Sequence, residues 1–313
     1  MKALRPFFFI FIFISWVSLA CSFGGSSSGS PSGSDTSGSQ AAGGSGSSPS
    51  QELAFGSQGI GPGMFNDVRG LAVNPSTGAI VAADYHDGRV QAFDPTGKFL
   101  TQWTAPGGKS AIITGMAGDG SGNVYVVTGG KILDYDSTGK LKATLAPSGI
   151  YVDNLVVAAD GNLVAATEKE TIVHLSPAGK VLSTIKNAFS SNGADTPELD
   201  MRVAVDGAGN IYVLGTFNNA VFKFSPDGKF VQRFGSAGDA QGKFTAPASI
   251  AVDSSGRVYV GDFKGIQVFD GNGVYQSLIK VTGAVRSMTF DSQNQLYFTT
   301  SKNQIFKFSM PKS

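Results

Sequence analysis

Short runs of apolar and polar residues in alternation recur along most of this chain. Clear examples are Val124-Tyr-Val126, Ile211-Tyr-Val213, Val258-Tyr-Val260 and Leu296-Tyr-Phe298. These runs are rich in β-branched and aromatic residues, which suit the pleated, half-buried surface of a β-strand. Turns that contain glycine separate the runs, and no convincing helical period follows the N-terminal leader. The pattern predicts an all-β protein built from many short, half-buried strands.

One unit of this pattern recurs six times. Its copies align on the residue that follows the first apolar strand: Asn74, Asp119, Ala158, Asp206, Asp253 and Asp291. The steps between these positions run from 38 to 48 residues, which is the period of a four-stranded propeller blade. A unit of that size cannot bury its own apolar faces, so the copies must pack together. The sequence predicts a six-bladed β-propeller of four-stranded blades.

The turns divide the predicted ring into two faces. Asp253-Ser-Ser-Gly256 is typical of the first-to-second turns, and Pro226-Asp-Gly228 of the third-to-fourth turns. Proline fixes φ at the start of such turns, and glycine supplies the positive φ at their end. The remaining connections share the opposite face, here called the loop face, and its irregular segments are Ala105–Thr114, Ala146–Asp153, Lys186–Asp200 and Ser236–Ala246. Variable loops on a rigid scaffold usually carry binding, so we expect the ligand there.

The two ends of the repeat region predict how the ring closes. The last copy reaches a third strand, Ile305-Phe-Lys-Phe308, without a fourth after it. The first copy is preceded by Glu52-Leu-Ala-Phe55-Gly56, which resembles the fourth-strand run Val231-Gln-Arg-Phe234-Gly235. We therefore expect residues 51–56 to complete blade 6, because closure removes exposed sheet edges.

The segment Asp84-Tyr-His-Asp-Gly-Arg89-Val-Gln-Ala-Phe93 resembles the core motif of NHL repeats. In that family an acidic residue ends the second strand and a basic residue opens the third. Blade 5 keeps Asp262 and Ile266-Gln-Val-Phe269 but lacks the arginine. The resemblance extends over residues 51–309 and implies a six-bladed propeller used mainly for binding, with a minority of enzymes. We expect Asp84 and Arg89 to pair across strands as part of the framework.

The first 20 residues differ from the rest in composition. Lys2 and Arg5 precede the apolar run Phe7–Ile14, which is typical of a signal peptide and too short for an ordinary membrane span. Removal of this leader takes the formal charge from +1 to −1. A balanced charge argues against nucleic acid as a partner.

The run Val17-Ser-Leu-Ala20-Cys21 resembles a bacterial lipobox, although Ser18 stands where leucine is usual. The resemblance implies a lipid on Cys21 after cleavage, and the alternative is an ordinary leader that happens to contain a cysteine. As the single cysteine, Cys21 cannot form an intrachain disulfide. Residues 22–50 are mostly Gly and Ser, which suits a flexible tether. We expect residues 1–20 to be a signal peptide, 21–50 a lipidated tether and 51–313 a monomeric propeller, exported and anchored to the bacterial cell membrane.

Residues just before the inner strands should line the entrance to the axis, and they are Arg69, Asp153, Asn154, Asp200, Arg202, Ser249 and Arg286. Arg69 and Arg286 share a repeat phase, while Arg202 is one residue out of it. They could form a pocket for an anionic or zwitterionic ligand, such as a peptide end or a carboxylated sugar. The favoured alternative is that these charged residues are solvated and pair with one another around a wet channel. Further candidates in the loops are Tyr85, His86, Phe217, Asn218 and Lys264.

Candidate catalytic chemistry is sparse in this sequence. Propeller lactonases of the gluconolactonase type need several oxygen ligands on a divalent cation, and propeller lyases need several histidines on zinc. His86 and His174 are the two histidines and lie far apart in the repeat. Asp153, Asn154 and Asp200 leave a carboxylate site open. No nucleophile elbow or phosphate loop is found.

We therefore predict no catalytic residue, no metal site and no cofactor. The favoured function is a membrane-tethered scaffold or binding module for a protein, peptide or glycan at the cell surface. The alternative is a gluconolactonase- or lyase-like hydrolase with a divalent cation near the axis.

Overall fold

The computed structural model describes residues 48–311. Cys21 and the predicted leader and tether therefore lie outside the described residues, apart from the last three tether positions. Within residues 48–311, no helix is both long and apolar enough to cross a bilayer. Two single-turn 3-10 helices, Gly108–Ser110 and Ser190–Asn192, are the helical elements of this range, and both lie in loop-face connections.

The strands form six four-stranded antiparallel sheets and one short parallel pair. In chain order they are β1 (Ser50–Phe55), β2 (Ser57–Gln58) and β3 (Met64–Phe65); in blade 1, β4 (Val68–Val73), β5 (Ile80–Asp84), β6 (Arg89–Phe93) and β7 (Phe99–Thr104); in blade 2, β8 (Ile113–Gly118), β9 (Val124–Thr128), β10 (Lys131–Tyr135) and β11 (Leu141–Leu145); in blade 3, β12 (Val152–Val157), β13 (Leu163–Thr167), β14 (Thr171–Leu175) and β15 (Val181–Ile185); in blade 4, β16 (Met201–Val205), β17 (Ile211–Gly215), β18 (Ala220–Phe224) and β19 (Phe230–Phe234); in blade 5, β20 (Ser249–Val252), β21 (Val258–Asp262), β22 (Gly265–Phe269) and β23 (Tyr275–Ile279); and in blade 6, β24 (Val285–Phe290), β25 (Gln295–Thr300) and β26 (Gln304–Ser309).

The first strand of every blade is the innermost. These strands contact one another in a closed cycle, β4 with β8, β8 with β12, β12 with β16, β16 with β20, β20 with β24, and β24 with β4. Because each blade is a simple meander, the connection that enters an inner strand starts on the loop face. The predicted six-bladed propeller is confirmed.

The predicted closure of the ring is also confirmed. Strand β1 pairs antiparallel with β26, so that Gln51 lies opposite Phe308 and Phe55 opposite Ile305. Blade 6 therefore has the order β1-β26-β25-β24, with its outermost strand supplied from the start of the described chain. Asn303 strengthens this junction, because its Oδ1 accepts a hydrogen bond from the Val68 backbone N–H at 3.1 Å.

The core lies between neighbouring blades. One cluster joins Val90 of blade 1 to Val126 of blade 2, and another joins Tyr297 of blade 6 to Leu71 of blade 1. All five residues of the second strand in each of blades 1 to 5 are buried, for example Val258–Asp262. Our expectation of half-buried strands is therefore wrong for these strands, since another blade covers each of their faces. Alternating burial persists in an outer strand, Phe99–Thr104.

The recurring aspartates organise the turns of the face opposite the loop face. In blade 5, Asp253 Oδ1 accepts backbone N–H bonds from Ser255 and Arg257, and Oδ2 accepts the Tyr259 hydroxyl at 3.0 Å. The same Asp–Tyr contact spans six residues in blades 2, 4 and 6. Burial and the nearby carboxylate raise the pKa of these tyrosines, that of Tyr125 to about 12. This face is therefore occupied by structural hydrogen bonds.

Removal of residues 48–56 should destabilise the whole propeller, because β26 would lose its outer partner and Leu53 and Phe55 would lose their contacts with the blade 6–blade 1 core. We expect the free energy of unfolding to fall by about 2–4 kcal/mol relative to a chain that begins at residue 48. Urea unfolding followed by tryptophan fluorescence measures the difference. An unchanged midpoint would contradict the closure.

Candidate functional site

The six inner strands enclose an axial cavity of about 280 Å³. Its deeper wall is apolar and includes Leu71, Met116 and Met288. At the loop face, where the inner strands begin, the cavity lining is polar. We call this polar part the axial mouth. It comprises Arg69, Thr114, Asn154, Asp200, Arg202, Ser249 and Arg286.

Four inner strands carry a register irregularity at their second residue, where one residue is skipped in the pairing. The skipped residues are Arg69 in β4, Thr114 in β8, Asp153 in β12 and Arg286 in β24. A β-bulge of this kind re-aims the side chain of the extra residue. In β16 the pairing stays regular through Arg202. This difference accounts for the phase offset of Arg202 in the sequence, although Arg202 still lines the cavity.

Two of the three arginines in the mouth are already paired. Arg69 Nε donates to Asp67 Oδ2 at 2.9 Å, and its guanidinium lies 4.2 Å from the centre of the Tyr85 ring. Arg202 pairs with Asp200. These contacts match the alternative in which charged residues satisfy one another around the channel.

Arg286 differs from the other two arginines. Its guanidinium makes no hydrogen bond or ion pair within residues 48–311, and its Nε is shielded from solvent with no partner. Thr114 Oγ1 is likewise shielded and unpartnered. Sequence reasoning missed Thr114, although it occupies the position of Arg69 in the next repeat. The mouth thus holds one unpaired cation and one unused hydroxyl.

Asp153 does not form part of the cavity wall and is half-buried. Burial raises the pKa of its carboxyl to about 6, the negative charges of Glu168 and Asp200 add to this shift, and Arg202 opposes it. Asn154 does line the cavity, and its Oδ1 accepts a hydrogen bond from Val203 N–H at 3.2 Å. The blade 3–blade 4 side of the mouth is therefore acidic.

A metal site from these groups has little support in their contacts. Asp200 is engaged by Arg202, and Asn154 Oδ1 by a backbone N–H. Among the described residues, no three His, Cys, Asp or Glu side chains are grouped as metal ligands would be. His86 lies in the β5–β6 loop of blade 1 and His174 in β14 of blade 3.

The loop candidates separate into two groups. The first group is Tyr85, His86 and Phe217. Tyr85 stacks on the guanidinium of Arg69 and contacts the exposed His86 ring edge-on, with 4.7 Å between the ring centres. The Phe217 side chain is 59% exposed. Asn218, in contrast, is 5% exposed, and its amide bonds Asp195 N–H, Thr196 O and Glu198. Both ends of the Asn218 amide are therefore used within the fold, and its predicted ligand-binding role gains no support from these contacts.

Lys264 also has a structural role. Its Nζ donates to the Lys243 carbonyl at 2.8 Å and to the Gly238 carbonyl at 3.3 Å. These bonds hold the connection between blades 4 and 5, and the predicted binding role of Lys264 gains no support from them. The sequence indicated its loop but could not indicate these backbone acceptors.

The expected Asp84–Arg89 pair is confirmed, with an N–O distance of 2.6 Å. Asp84 is fully buried and also accepts backbone N–H bonds from Asn66 and Asp67. The pair therefore holds the connection that enters blade 1. Buried polar residues do the same in other blades, and these are Glu170, Asn218, Asp262 and Asn303.

Exposed apolar side chains lie in the connections of the loop face, the face on which the axial mouth opens. They are called the apolar rim and comprise Ile60, Met64, Ile112, Tyr151, Leu199, Phe217 and Phe263. Among the described residues, the turns of the opposite face contribute one large exposed apolar side chain, Val274. Phe217 is the one rim residue that the sequence analysis named as a candidate. The other rim residues could have been found in the sequence as large apolar residues within otherwise polar connections.

Substitution of Asp153 by asparagine should stabilise the protein at neutral pH. The folded state raises the pKa of Asp153 from 3.8 to about 6, so wild-type stability falls as the pH rises through that window. Asp153→Asn cannot ionise at this position, so its free energy of unfolding should not fall in this way. The stability difference between the variant and wild type should therefore shrink towards pH 4. Asp160→Asn is the matched control in the same blade, because hydrogen bonds from Asn162 lower the pKa of Asp160. Asp160 is therefore ionised in this range, and its substitution should not stabilise the protein and should change little with pH above about pH 5. Urea unfolding of both variants across that pH range measures the effect, and a pH-independent Asp153→Asn difference would contradict it.

Comparisons with known proteins agree with this architecture. A family model described as a 6-bladed beta-propeller matches residues 201–309, which span blades 4 to 6. The human NHL repeat-containing protein 3 is 41% identical over 71 residues, covering 21% of this chain and 20% of that protein. The chain thus spans about a fifth of the length of this curated relative.

Solved structures share the fold at low sequence identity. A gluconolactonase from Xanthomonas campestris superposes with a TM-score of 0.60 and 19% identity, covering 78% of this chain and 86% of that chain. A streptogramin B lyase gives a TM-score of 0.56 and 14% identity, covering 76% and 78% of the two chains. At these identities the similarity concerns the fold alone. With the family-model match, it leads to one conclusion: this chain is a six-bladed β-propeller, and part of it is similar in sequence to an NHL repeat-containing protein.

Proposed function

We propose that this propeller is a binding module whose loop face docks a polypeptide partner outside the cytoplasm. The observation that carries the proposal is that the apolar rim and the polar axial mouth belong to the same face of the propeller. Leu199 is 77% exposed and Phe263 is 72% exposed. Large aliphatic and aromatic side chains that are exposed together on one face are typical of protein interfaces.

The rim residues stand on a rigid backbone. Ile112 and Tyr151 each directly precede an inner strand, and Leu199 precedes β16 by two residues. Backbone hydrogen bonds join these connections to the second-to-third loops, from Glu168 N–H to Tyr151 O and from Thr216 N–H to Asp200 O. Pre-organised anchors lose little conformational entropy on binding. The rim therefore suits recognition of a folded or extended polypeptide.

A polypeptide is favoured over a glycan because several rim residues are aliphatic. Ile60, Ile112 and Leu199 offer no hydrogen bonds from their side chains, whereas sugar hydroxyls require polar partners. Protein hot spots combine such apolar contacts with aromatic rings and arginine. The loop face provides both kinds of side chain, and its arginines lie at the mouth.

The hydrolase alternative is supported by the fold relatives alone. A gluconolactonase and a lyase share the propeller at under 25% identity. Of the three oxygen groups considered for a cation, Asn154 and Asp200 already bond within the protein, and Asp153 is not part of the cavity wall. No observation at the mouth favours hydrolysis over binding.

Loss of the apolar rim should abolish partner binding. We expect the triple variant Leu199→Ser, Phe217→Ser, Phe263→Ser to bind a partner isolated from the cell envelope at least about 30-fold more weakly, as for hot-spot residues. The matched control Leu100→Ser, Leu182→Ser, Val231→Ser removes exposed apolar residues from the outer strands and should bind normally. Binding is measured with the purified partner on immobilised full-length propeller.

Three outcomes would overturn the proposal. They are equal loss in both triple variants, unchanged binding in the rim variant, and a captured ligand that proves to be a glycan. Thermal melts of both variants establish that each is folded before binding is compared.

We also propose that Cys21 carries the lipid that holds the module at the membrane. The sequence Val17-Ser-Leu-Ala20-Cys21 and the Gly/Ser-rich residues 22–50 motivate this proposal. Radiolabelled palmitate should label wild type and the control Ser22→Ala, and Cys21→Ala should lose both label and membrane fractionation. Labelled Cys21→Ala would refute the anchor.

A further inference from the structure

We propose that the axial mouth contains a carboxylate-binding subsite, in which Arg286 and Thr114 bind the carboxylate of the docked partner. The inference rests on the proposed binding function and assigns the chemistry of its central contact. The carboxylate could belong to a chain terminus or to an acidic side chain. Both present the same planar pair of oxygens, which a guanidinium binds in a bidentate manner.

The first argument is the missing partner of Arg286. Arg69 and Arg202 each pair with an aspartate two residues earlier in the chain, Asp67 and Asp200. The corresponding position before Arg286 is Ala284, and no described residue replaces the missing carboxylate. A shielded Nε–H without an acceptor is costly, so an incoming carboxylate would gain a partner that the fold does not supply.

The second argument is the arrangement of donors around the mouth. Arg286, Arg69 and Thr114 belong to blades 6, 1 and 2, which are consecutive because β24 contacts β4 and β4 contacts β8. All three are bulge residues at the second position of an inner strand. The donors of Arg286 and Thr114 therefore belong to one arc of the mouth, and both are unused.

The third argument is the contrast with the opposite side. On that side Asp153 lies near the negative charges of Glu168 and Asp200, which Arg202 opposes, and of these four groups Asp200 and Arg202 line the cavity. A carboxylate is therefore repelled from that side and attracted to the arc that contains Arg286. The charge distribution fixes the orientation of an anionic group as well as its attraction.

The cavity has room for the group that bears the carboxylate. Its volume of about 280 Å³ is at the small end of ligand sites and suits one amino-acid residue. Leu71, Met116 and Met288 form an apolar wall below the polar mouth. A chain-terminal residue with an apolar side chain would satisfy both parts of the cavity.

The test uses small probes on the full-length protein. N-acetyl-leucine presents a terminal carboxylate with an apolar side chain, glutarate presents an acidic side-chain analogue, and N-acetyl-leucine amide lacks the charge. We expect N-acetyl-leucine to bind in titration calorimetry and the amide to bind at least about tenfold more weakly, since one charge-assisted bond is lost. Tighter binding of glutarate than of N-acetyl-leucine would assign the subsite to an acidic side chain, and the reverse order to a chain terminus.

The variants locate the binding to the two residues. Arg286→Gln should weaken N-acetyl-leucine binding about 10- to 100-fold, and Thr114→Val about fivefold, as for a charged and a neutral hydrogen bond. Lys98→Gln removes one charge from an exposed turn on the opposite face and should change binding less than twofold. Arg286→Lys keeps the charge and should retain part of the affinity. This result would show that the loss in Arg286→Gln comes from the missing charge and not from misfolding.

The inference and the proposed function can fail separately. Equal binding of acid and amide, no binding of either acid, or full binding by a folded Arg286→Gln would overturn the subsite, and partner capture that still depended on the rim would leave the proposed function standing. Carboxylate binding at Arg286 with partner capture indifferent to the rim would refute the proposed docking mode instead.

Discussion

Every part of this molecule depends on burial between blades, because no blade can cover its own faces. The second strands show this most directly, since they are buried on both sides by neighbouring sheets. A ring of such units must close, and the pairing of Ser50–Phe55 with Gln304–Ser309 closes it. Closure in turn fixes the inner strands in one cycle around the axis. The axial mouth is therefore a product of the whole ring, because each blade contributes only one or two of its residues.

The two faces of the ring use polar groups differently. On one face, aspartates such as Asp253 accept turn N–H groups and a tyrosine hydroxyl. On the loop face, buried residues such as Glu170 and Asp84 accept backbone N–H groups from the connections. Hydrogen bonds from Glu198 and Ser190 outweigh the effect of burial and keep the pKa of Glu170 below its usual value. Because these buried groups hold the connections, side chains on the connections can remain exposed without a structural task, as Leu199 and Phe263 do.

Most of the fold could be predicted from the sequence because its determinants are local and repeated. The Asp–Gly turns, the repeat period and the resemblance of Glu52–Gly56 to a fourth strand predicted the blades and the closure. The Asp84–Arg89 pair was predicted for the same reason. The structural bonds of Asn218 and Lys264 could not be predicted, because their acceptors lie in connections about twenty residues away, and repeat phase carries no information about such contacts. Repeat phase already places Thr114 with Arg69 and Arg286, and the strand pairing adds the bulge that the three positions share.

The repeats also provide an internal standard for judging the mouth. A guanidinium in a partly dry site is expensive to leave alone, and in two blades the chain neutralises it with an aspartate two residues earlier. Blade 6 keeps the arginine and places Ala284 where that aspartate would stand. Arg69 and Arg286 thus share one backbone geometry, yet Arg69 is paired with an aspartate and Arg286 is not. Since the bulge of β24 matches that of β4, the difference cannot come from the strand and must come from the missing carboxylate. That carboxylate is the group that a ligand would have to bring.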